Sequence, residues 1–207
     1  MSEVLGLRER KKLRTRHALI AAALELFVEK GYEQTTVSEI ATAADVSTRT
    51  FFSYFASKED VVFHNSREGT DRALRVIAER GPGDRAVDLL SRAITSGFAA
   101  LAVDDRLARE IAPVNHLIMT VPSLRARGLL LLFDSQQELA EALHRACSDE
   151  LNLTEASAAV GSVIGAAKLA AFVSMNRGAS PEEMLEAGRE AAEFALNGLR
   201  AAFPPVS

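Results

Sequence analysis

Of the 207 residues, 48% are hydrophobic and 25% are charged, which is typical of a soluble globular protein and excludes an intrinsically disordered chain. The length suits one or two compact units with a sizeable core. The formal net charge of −4 excludes a protein that coats nucleic acid through its overall charge, and the single cysteine, Cys147, excludes an internal disulfide.

Apolar residues recur with the helical period of about 3.6 residues, and no long stretch alternates apolar and polar residues as a sheet requires. The sequence therefore predicts an all-α protein of about nine helices. Four are predicted before the break at Gly81-Pro82-Gly83: Arg8–Lys30, Thr36–Ala44, Thr48–Tyr54 and one from Ser57 towards Glu79. Five are predicted after it, at roughly 84–102, 104–120, 123–148, 154–176 and 181–202.

The first predicted helix begins with a basic run. Between Arg8 and Arg16 the chain carries six cations against one acid, Glu9. A local basic arm attracts phosphate even on an acidic protein, because the field that matters acts within a Debye length of about 8–10 Å. The same run also fits a solvated helix face.

Capping residues mark the short helices that follow. Thr36 and Glu39 fit a capping box, in which each residue satisfies an N–H group of the other. Asp45 suits a tight turn, and Ser47 suits the cap of the next helix. Two short helices separated by about three residues have the geometry of a helix-turn-helix, whose second helix enters the major groove of DNA.

The second of these helices carries side chains that suit DNA. Short hydroxyl groups and the guanidinium of Arg49 fit base edges and phosphates, and Arg49 can bind a guanine through two parallel hydrogen bonds. Phe51 and Phe55 are four residues apart and are expected in the core. Phe52 and Tyr54 then point elsewhere, towards DNA or the rim of the domain.

The segment TVSEIATAADVSTRTFFSYFASKEDVV resembles the signature of the tetracycline-repressor-like (TetR) family. The capping box, the turn, the aromatic pair and the Ser57-Lys58 junction occur together in the family's order. The resemblance implies a DNA-binding domain at 1–60 and a ligand-binding and dimerisation domain at 61–207. It implies that Thr36, Thr48, Arg49, Thr50, Phe52, Tyr54 and Lys58 line the DNA surface, where Lys58 and the start of the fourth helix hold a phosphate. The polar groups of Ser47 and Ser53 add to this set.

Two positions depart from the family pattern. Asp45 stands where glycine is usual, so the turn is either strained or capped by the Asp45 side chain, whose charge weakens phosphate binding slightly. Phe52 stands where tyrosine is usual, and the missing hydroxyl removes one contact to a phosphate or a base.

The predicted recognition helix presents only three or four side chains to bases, which is too few to find one site in a genome, so we expect a homodimer on a palindromic operator. The last two helices are the expected interface. The stretch from Ala156 to Met175 is largely apolar and includes Gly161 and Gly165. It has the length of a membrane span, but Lys168 lies in its middle and small residues more simply permit close helix packing, so no membrane is expected.

The resemblance also implies a ligand-responsive core and a small, largely apolar effector. The run of apolar residues from Leu129 to Phe133 predicts a central helix that could wall a cavity. The candidate ligand-binding residues are Phe63, Arg67, Phe98, Asn115, His116, Met119, Phe133 and Phe172. The alternative is a well-filled core and a DNA-binding regulator without a small-molecule effector.

An enzyme is the competing class. His17, His64, His116 and His144 are scattered, and neither a phosphate-binding loop nor a nucleophile elbow is present. His144 and Cys147 could begin a metal site, but no second pair stands at suitable spacing. We therefore expect no catalysis, cofactor or metal, and a cytoplasmic location because the chain shows no signal peptide. The sequence leaves repression and activation open, with repression favoured.

Overall fold

The computed structural model describes the backbone of residues 6–103 and 105–203, and the side chains of these residues except 102, 103, 105–109, 111 and 112. This part of the chain folds into ten α-helices and contains no strand, so the predicted all-α class is confirmed. Asp104, where a helix was predicted to begin, and the outer ends of both predicted domains, at residues 1 and 207, lie outside the described residues.

The helices form two compact units. The N-terminal unit comprises the described residues up to His64 together with Pro113–Ala126, and the C-terminal unit comprises Asn65–Ala112 and the residues from Arg127 onward. The sequence predicted one boundary after residue 60 and did not anticipate the return of 113–126 to the first unit. The helices are α1 Leu7–Lys30, α2 Val37–Ala43, α3 Thr48–Phe52, α4 Lys58–Val62, α5 Ser66–Ala78, α6 Ala86–Val103, α7 Asp105–Thr120, α8 Pro122–Ala146, α9 Leu153–Asn176 and α10 Pro181–Ala202.

The predicted fourth helix is broken into α4 and α5, which corrects the continuous helix from Ser57 to Glu79. The break lies between Val62 and Ser66. His64 Nδ1 lies 2.7 Å from the carbonyl oxygen of Val61, which a continuous helix would offer to the N–H of Asn65. A side chain that occupies a helical acceptor in this way competes with continuation of the helix.

Aromatic and branched side chains form the core of the N-terminal unit. Phe51 is fully buried and Phe55 nearly so, as the sequence predicted. Leu117 and Leu124 reach this core from the later segment, so α7 and α8 help to complete it. The other fully buried members with large side chains are Leu19, Ile20, Ile40 and Val61.

The C-terminal unit has its own core, formed by α5, α6, α8, α9 and α10. Gly188 on α10 allows a close approach, because a Cβ atom there would lie 3.3 Å from the carbonyl oxygen of Ala167 and 3.6 Å from the ring of Phe98. Arg80, after α5, donates to the carbonyl oxygen of Ala146 and to Asp149, 2.9 Å away. These contacts fix the end of α5 to the end of α8 and to the loop that follows it.

Candidate nucleic-acid interface

The start of α2 is fixed by the predicted capping box. The Thr36 hydroxyl accepts from the Glu39 N–H over 3.3 Å, and the Thr36 N–H donates to the Glu39 carboxylate over 2.9 Å. Lys30, at the end of α1, pairs with the same carboxylate. The Lys30 ammonium, followed by Thr36, lowers the pKa of Glu39 to about 2. One carboxylate therefore joins the end of α1 to the start of α2.

The turn after α2 is a Schellman motif with aspartate in the place of glycine. The Val46 N–H donates to Ala41 over 2.9 Å and the Asp45 N–H donates to Thr42 over 3.0 Å, which is the pair of bonds that defines this motif. Asp45 has φ 55°, in the left-handed region that favours glycine. Of the two alternatives that the sequence left open, a strained turn or a turn capped by the Asp45 side chain, the left-handed backbone of Asp45 agrees with the first.

The next helix, α3, begins at a capped serine and is largely exposed. The Ser47 hydroxyl accepts from the Thr50 N–H over 3.1 Å and lies 2.9 Å from the Thr50 hydroxyl. Ser53 donates to the Thr50 carbonyl over 2.6 Å. These bonds engage Ser47, Thr50 and Ser53 within the helix, whereas Thr48 and Arg49 project from its exposed first turn.

Two buried aromatic rings hold α3 in place. The rings of Phe51 and Phe55 lie 5.7 Å apart, and the guanidinium of Arg16 lies 5.5 Å from the centre of the Phe55 ring. Phe52 packs edge-on against Phe51 yet is 57% exposed, and Tyr54 is half-buried against the core. Phe52 is thus exposed outside the core, as predicted, whereas Tyr54 lies at the rim of the domain and packs partly against the core.

Lys58 contacts the protein rather than solvent. Its ammonium donates to the carbonyl oxygens of Tyr32, Glu33 and Thr35 at 2.7, 3.4 and 3.1 Å. It also lies 4.3 Å from the centre of the Tyr32 ring. An ammonium has three N–H donors, and all three have acceptors here, so the structure does not favour the phosphate contact expected of Lys58. Its visible role is to hold the loop after α1 to the start of α4.

The first turns of α1 extend the cationic surface. Arg8, Arg10, Lys11, Lys12 and Arg14 are all exposed, while Arg16 is half-buried and donates to the carbonyl oxygen of His64 over 3.1 Å. Of the six cations in the run, five are thus placed for contacts outside the chain and the sixth is structural.

Comparisons with known proteins agree with this geometry. The sequence pattern of the bacterial regulatory proteins of the tetR family matches residues 19–64, which include α2, α3 and α4. The chain is 46% identical over 136 residues to the HTH-type transcriptional regulator TcmR of Streptomyces glaucescens, an alignment that covers 66% of this chain and 59% of TcmR. Residues 19–64 therefore match the DNA-binding region of the tetR family, and the chain is similar to a curated helix-turn-helix regulator.

Two further comparisons, with one curated regulator and one solved structure, define the extent of the likeness. The regulator HbdR of Aromatoleum sp. (strain CIB) is 31% identical over 137 residues, covering 64% of this chain and 57% of HbdR. The chain thus spans less than two thirds of the length of these curated relatives. The crystal structure of FadR from Bacillus subtilis in complex with stearoyl-CoA has a TM-score of 0.59 at 23% identity, covering 88% of this chain and 98% of FadR, and shows the shared fold.

The expected ligand-binding residues of this chain fall into both units. Phe63, Asn115, His116 and Met119 belong to the N-terminal unit, where Phe63 packs against the core and His116 and Met119 are exposed. Arg67, Phe98, Phe133 and Phe172 belong to the C-terminal unit. The eight residues are therefore divided between two separate units.

Within the C-terminal unit, two of these residues differ from expectation. The guanidinium of Arg67 is paired with Glu138 at 2.7 Å and with Asp71 at 2.8 Å, which raises its pKa and engages it within the protein. Phe133 is 68% exposed, and Leu129 and Leu130 are exposed as well. The prediction of a central, buried helix over Leu129–Phe133 is therefore wrong. An apolar composition on every side did not determine burial there.

The weak metal-site candidate is accounted for by packing. A ring nitrogen of His144 lies 2.8 Å from the carbonyl oxygen of Leu151, and Cys147 is fully buried, where burial raises the pKa of its thiol. Within residues 6–103 and 105–203, no group of three or more potential ligand side chains is suited to a metal ion.

Proposed function

We propose that the chain is a ligand-responsive transcriptional regulator that binds a palindromic operator as a dimer through α3. The observation that carries this proposal is the exposed first turn of α3, with Thr48 and Arg49 projecting from a helix whose opposite side is anchored by Phe51. A rigid short helix with an exposed guanidinium is suited to reading base edges in the major groove. The exposed cations of α1 supply contacts to phosphates that do not depend on sequence.

The test measures, by fluorescence anisotropy, binding of the purified protein to a palindrome from the intergenic DNA beside its gene. Arg49→Ala should weaken operator binding by about 1–3 kcal/mol, or roughly 5–150-fold, and leave stability nearly unchanged. Arg177→Ala, which removes an exposed arginine from the C-terminal unit, is the matched control and should bind like the wild type. If Arg49→Ala bound the palindrome with unchanged affinity, α3 would not be the reading helix.

A second copy of the chain is proposed to pack on α9 and α10. Phe194 is 83% exposed and has Ala191 and Gly198 on the neighbouring turns of α10. Leu169 on α9 is 63% exposed, with Gly165 one turn earlier. Large exposed apolar groups beside small residues favour a close-packed helical interface. Such a dimer would place the two recognition helices about 34–36 Å apart, one turn of DNA.

The apolar character of α9 permits another interpretation. Within the described part of the chain, α9 is the single helix that by itself is long and apolar enough to cross a membrane. Lys168 lies in its middle, and glycine, alanine and serine supply little free energy of transfer into lipid. We propose the dimer interface and a cytoplasmic location, without a membrane span.

The C-terminal unit is proposed to bind a small, largely apolar effector. Phe98 and Phe172 are only half-buried and Phe133 is exposed, so apolar surface of this unit remains accessible. The related fold of FadR holds stearoyl-CoA, which supports an effector with an apolar body. Repression requires only that the protein occupies the operator, and binding of the effector would release it, so no contact with another protein is needed. No catalytic activity is proposed.

The alternative is a regulator without a small-molecule effector. A differential affinity for two conformations is required if a ligand is to change operator binding. A screen in which no compound altered both the thermal stability and the operator affinity would favour this alternative, while leaving the DNA-binding proposal intact.

A further inference from the structure

Phe52 is an exposed aromatic residue on the helix that we propose to read DNA. It is the last residue of α3, and its side chain is 57% exposed. Thr48 lies one turn earlier and Arg49 three positions earlier, so both share this side of the helix with Phe52, and both are exposed. A large apolar group therefore stands beside the two polar side chains that project from the first turn.

The ring of Phe52 is held by a buried neighbour. The centres of the Phe51 and Phe52 rings lie 5.5 Å apart and their planes make an angle of 86°, which is the edge-to-face geometry that aromatic pairs favour. Phe51 is fully buried in the core of the N-terminal unit. A side chain that is already held in place loses less conformational entropy when it contacts another molecule, so the exposed part of the Phe52 ring suits binding.

Exposure of one apolar side chain needs no functional explanation by itself, because single exposed apolar residues are common on soluble proteins. The position of Phe52 is what distinguishes it. Three residues of an α-helix rise about 4.5 Å, which is close to the separation of about 3.4 Å between successive base pairs. If Arg49 contacts a base edge, the ring of Phe52 therefore lies beside the same or a neighbouring base pair.

The chemistry of the ring limits what it can recognise there. Phenylalanine carries no hydrogen-bonding group in its side chain, so it gains no hydrogen bond from a phosphate or from a polar base edge. In the major groove, thymine presents the 5-methyl group, with which an apolar side chain makes a favourable contact. The amino group of a cytosine covered by the same ring would lose water without gaining an acceptor.

We propose that Phe52 is a specificity-determining residue that reads a thymine in each operator half-site through its 5-methyl group. This inference rests on the proposed binding of DNA through α3 and adds the identity of one base. The contact is apolar, and its free energy comes from removing the methyl group and the exposed ring surface from water. The thymine should lie beside the base that Arg49 contacts.

The test replaces single thymines of the bound palindrome by deoxyuridine, which forms the same base pair with adenine and lacks only the 5-methyl group. Each thymine of one half-site is replaced together with its symmetry mate, and binding of the full chain is measured by fluorescence anisotropy. At the thymine that Phe52 reads, wild type should lose about fourfold in affinity for each half-site, or about 15-fold for the pair, because one buried methyl group contributes that much.

The variants assign this effect to the ring. Phe52→Ala should weaken binding to the unmodified palindrome and should bind the thymine and deoxyuridine forms of the identified position with affinities within about twofold of each other. Phe52→Leu keeps an apolar side chain and should retain the preference for thymine in reduced form. Val28→Ala is the matched control, because Val28 is a 69% exposed apolar residue of α1, outside α3, and the variant should behave as the wild type.

The outcomes separate this inference from the proposed function. If no thymine replacement weakened wild type, or if every replacement weakened wild type and Phe52→Ala by the same factor, the inference would be overturned while operator binding through α3 stood. If wild type failed to bind any palindrome, the proposed function would fall and the inference with it. The Arg49→Ala experiment tests the reading helix separately.

Binding to non-specific duplex DNA guards against misfolding of the variants. This binding depends on contacts to phosphates, so Phe52→Ala should bind a duplex without the palindrome as tightly as wild type does. Phe52→Gln places a polar side chain at the same exposed position and is the second disruptive variant, with the same expected loss of the preference for thymine. A preference that persisted in Phe52→Gln at wild-type size would also overturn the inference.

Discussion

The ammonium of Lys58 lies 2.7 Å from the carbonyl oxygen of Tyr32 and 4.3 Å from the centre of the Tyr32 ring. One cation thereby satisfies carbonyl groups of the loop after α1 and stabilises the start of α4. Lys58 is therefore a positioning residue for the helix-turn-helix, and its contribution should appear in stability before it appears in DNA binding.

Lys58→Met should lower the free energy of unfolding by about 1–2 kcal/mol, because it leaves partly buried carbonyl groups without their donor. Urea denaturation measures this change. A lost phosphate contact would instead reduce the slope of log K against log salt concentration by about 1, as we expect for Arg14→Met in the basic run of α1. Wild-type stability combined with a reduced salt slope in Lys58→Met would restore the phosphate contact that the sequence suggested.

Asp45 occupies a backbone position where glycine is favoured, and its replacement separates strain from charge. Asp45→Gly should raise the free energy of unfolding by about 0.5–1 kcal/mol, because glycine adopts positive φ without steric cost. Asp45→Asn removes the charge but keeps a side chain that tolerates this conformation, so its stability should stay near that of the wild type.

Both Asp45 variants remove a negative charge beside the proposed DNA surface, so both should bind the operator slightly more tightly. Thermal denaturation and anisotropy on the same three proteins distinguish the two effects. Equal stability of the Gly and Asn variants would show that the left-handed conformation costs little here.

The ion pair between Lys30 and Glu39 predicts a specific dependence of stability on pH. The folded-state pKa of Glu39 is about 2, below the 4.5 that is ordinary for a glutamate, so the folded state favours the ionised carboxylate. The resulting stabilisation is fully present above pH 4.5 and is lost as the pH falls through about 2. The difference in Tm between wild type and Glu39→Gln should therefore be constant at neutral pH and shrink over this acidic range.

Lys30→Met is the matched variant for this experiment, because Lys30 is the largest cause of the lowered pKa. In the Lys30→Met background, the Glu39→Gln difference should be smaller at neutral pH and should vanish at a higher pH. A Glu39→Gln difference that remained the same from pH 7 to pH 2 would rule out this ion pair as the source.

The exposed ring of Phe194 gives a direct test of the proposed dimer. Phe194→Glu places a charge in the proposed apolar interface and should convert the dimer to a monomer in sedimentation velocity experiments at micromolar concentration. Val28→Glu is the matched control, because Val28 is 69% exposed on α1, outside the proposed interface. A Phe194→Glu protein that still sedimented as a dimer would place the interface elsewhere.

The N-terminal unit shows what sequence patterns determine well. The capping box of Thr36 and Glu39 and the Ser47 cap depend on residues three positions apart, so local chemistry specifies them completely. The burial of Phe51 against the exposure of Phe52 follows from helical phase alone. The sequence identified the turn at Asp45, but its Schellman geometry was not anticipated because the glycine that usually marks it is absent.

Long-range contacts could not be read in the same way. The acceptors of the Lys58 ammonium lie more than twenty residues away, and no periodicity indicates them. The pairing of Arg67 with Glu138 likewise joins α5 to α8 across 71 positions. Apolar runs were equally ambiguous as predictors of burial. Runs rich in apolar residues produced a buried stripe on α6 but exposed side chains at Leu130 and Phe133 on α8.

Leu117 and Leu124 complete the core that supports the helix-turn-helix, although the chain reaches them only after passing through α5, α6 and the first part of α7. During synthesis on the ribosome, which proceeds from the N-terminus, α1 to α4 therefore emerge before two of their own core residues exist. The N-terminal unit cannot finish folding until residue 124 has left the exit tunnel. A fragment cut at His64 would lack those leucines permanently, so the shortest fragment that keeps the whole core of this unit must retain the segment through Ala126.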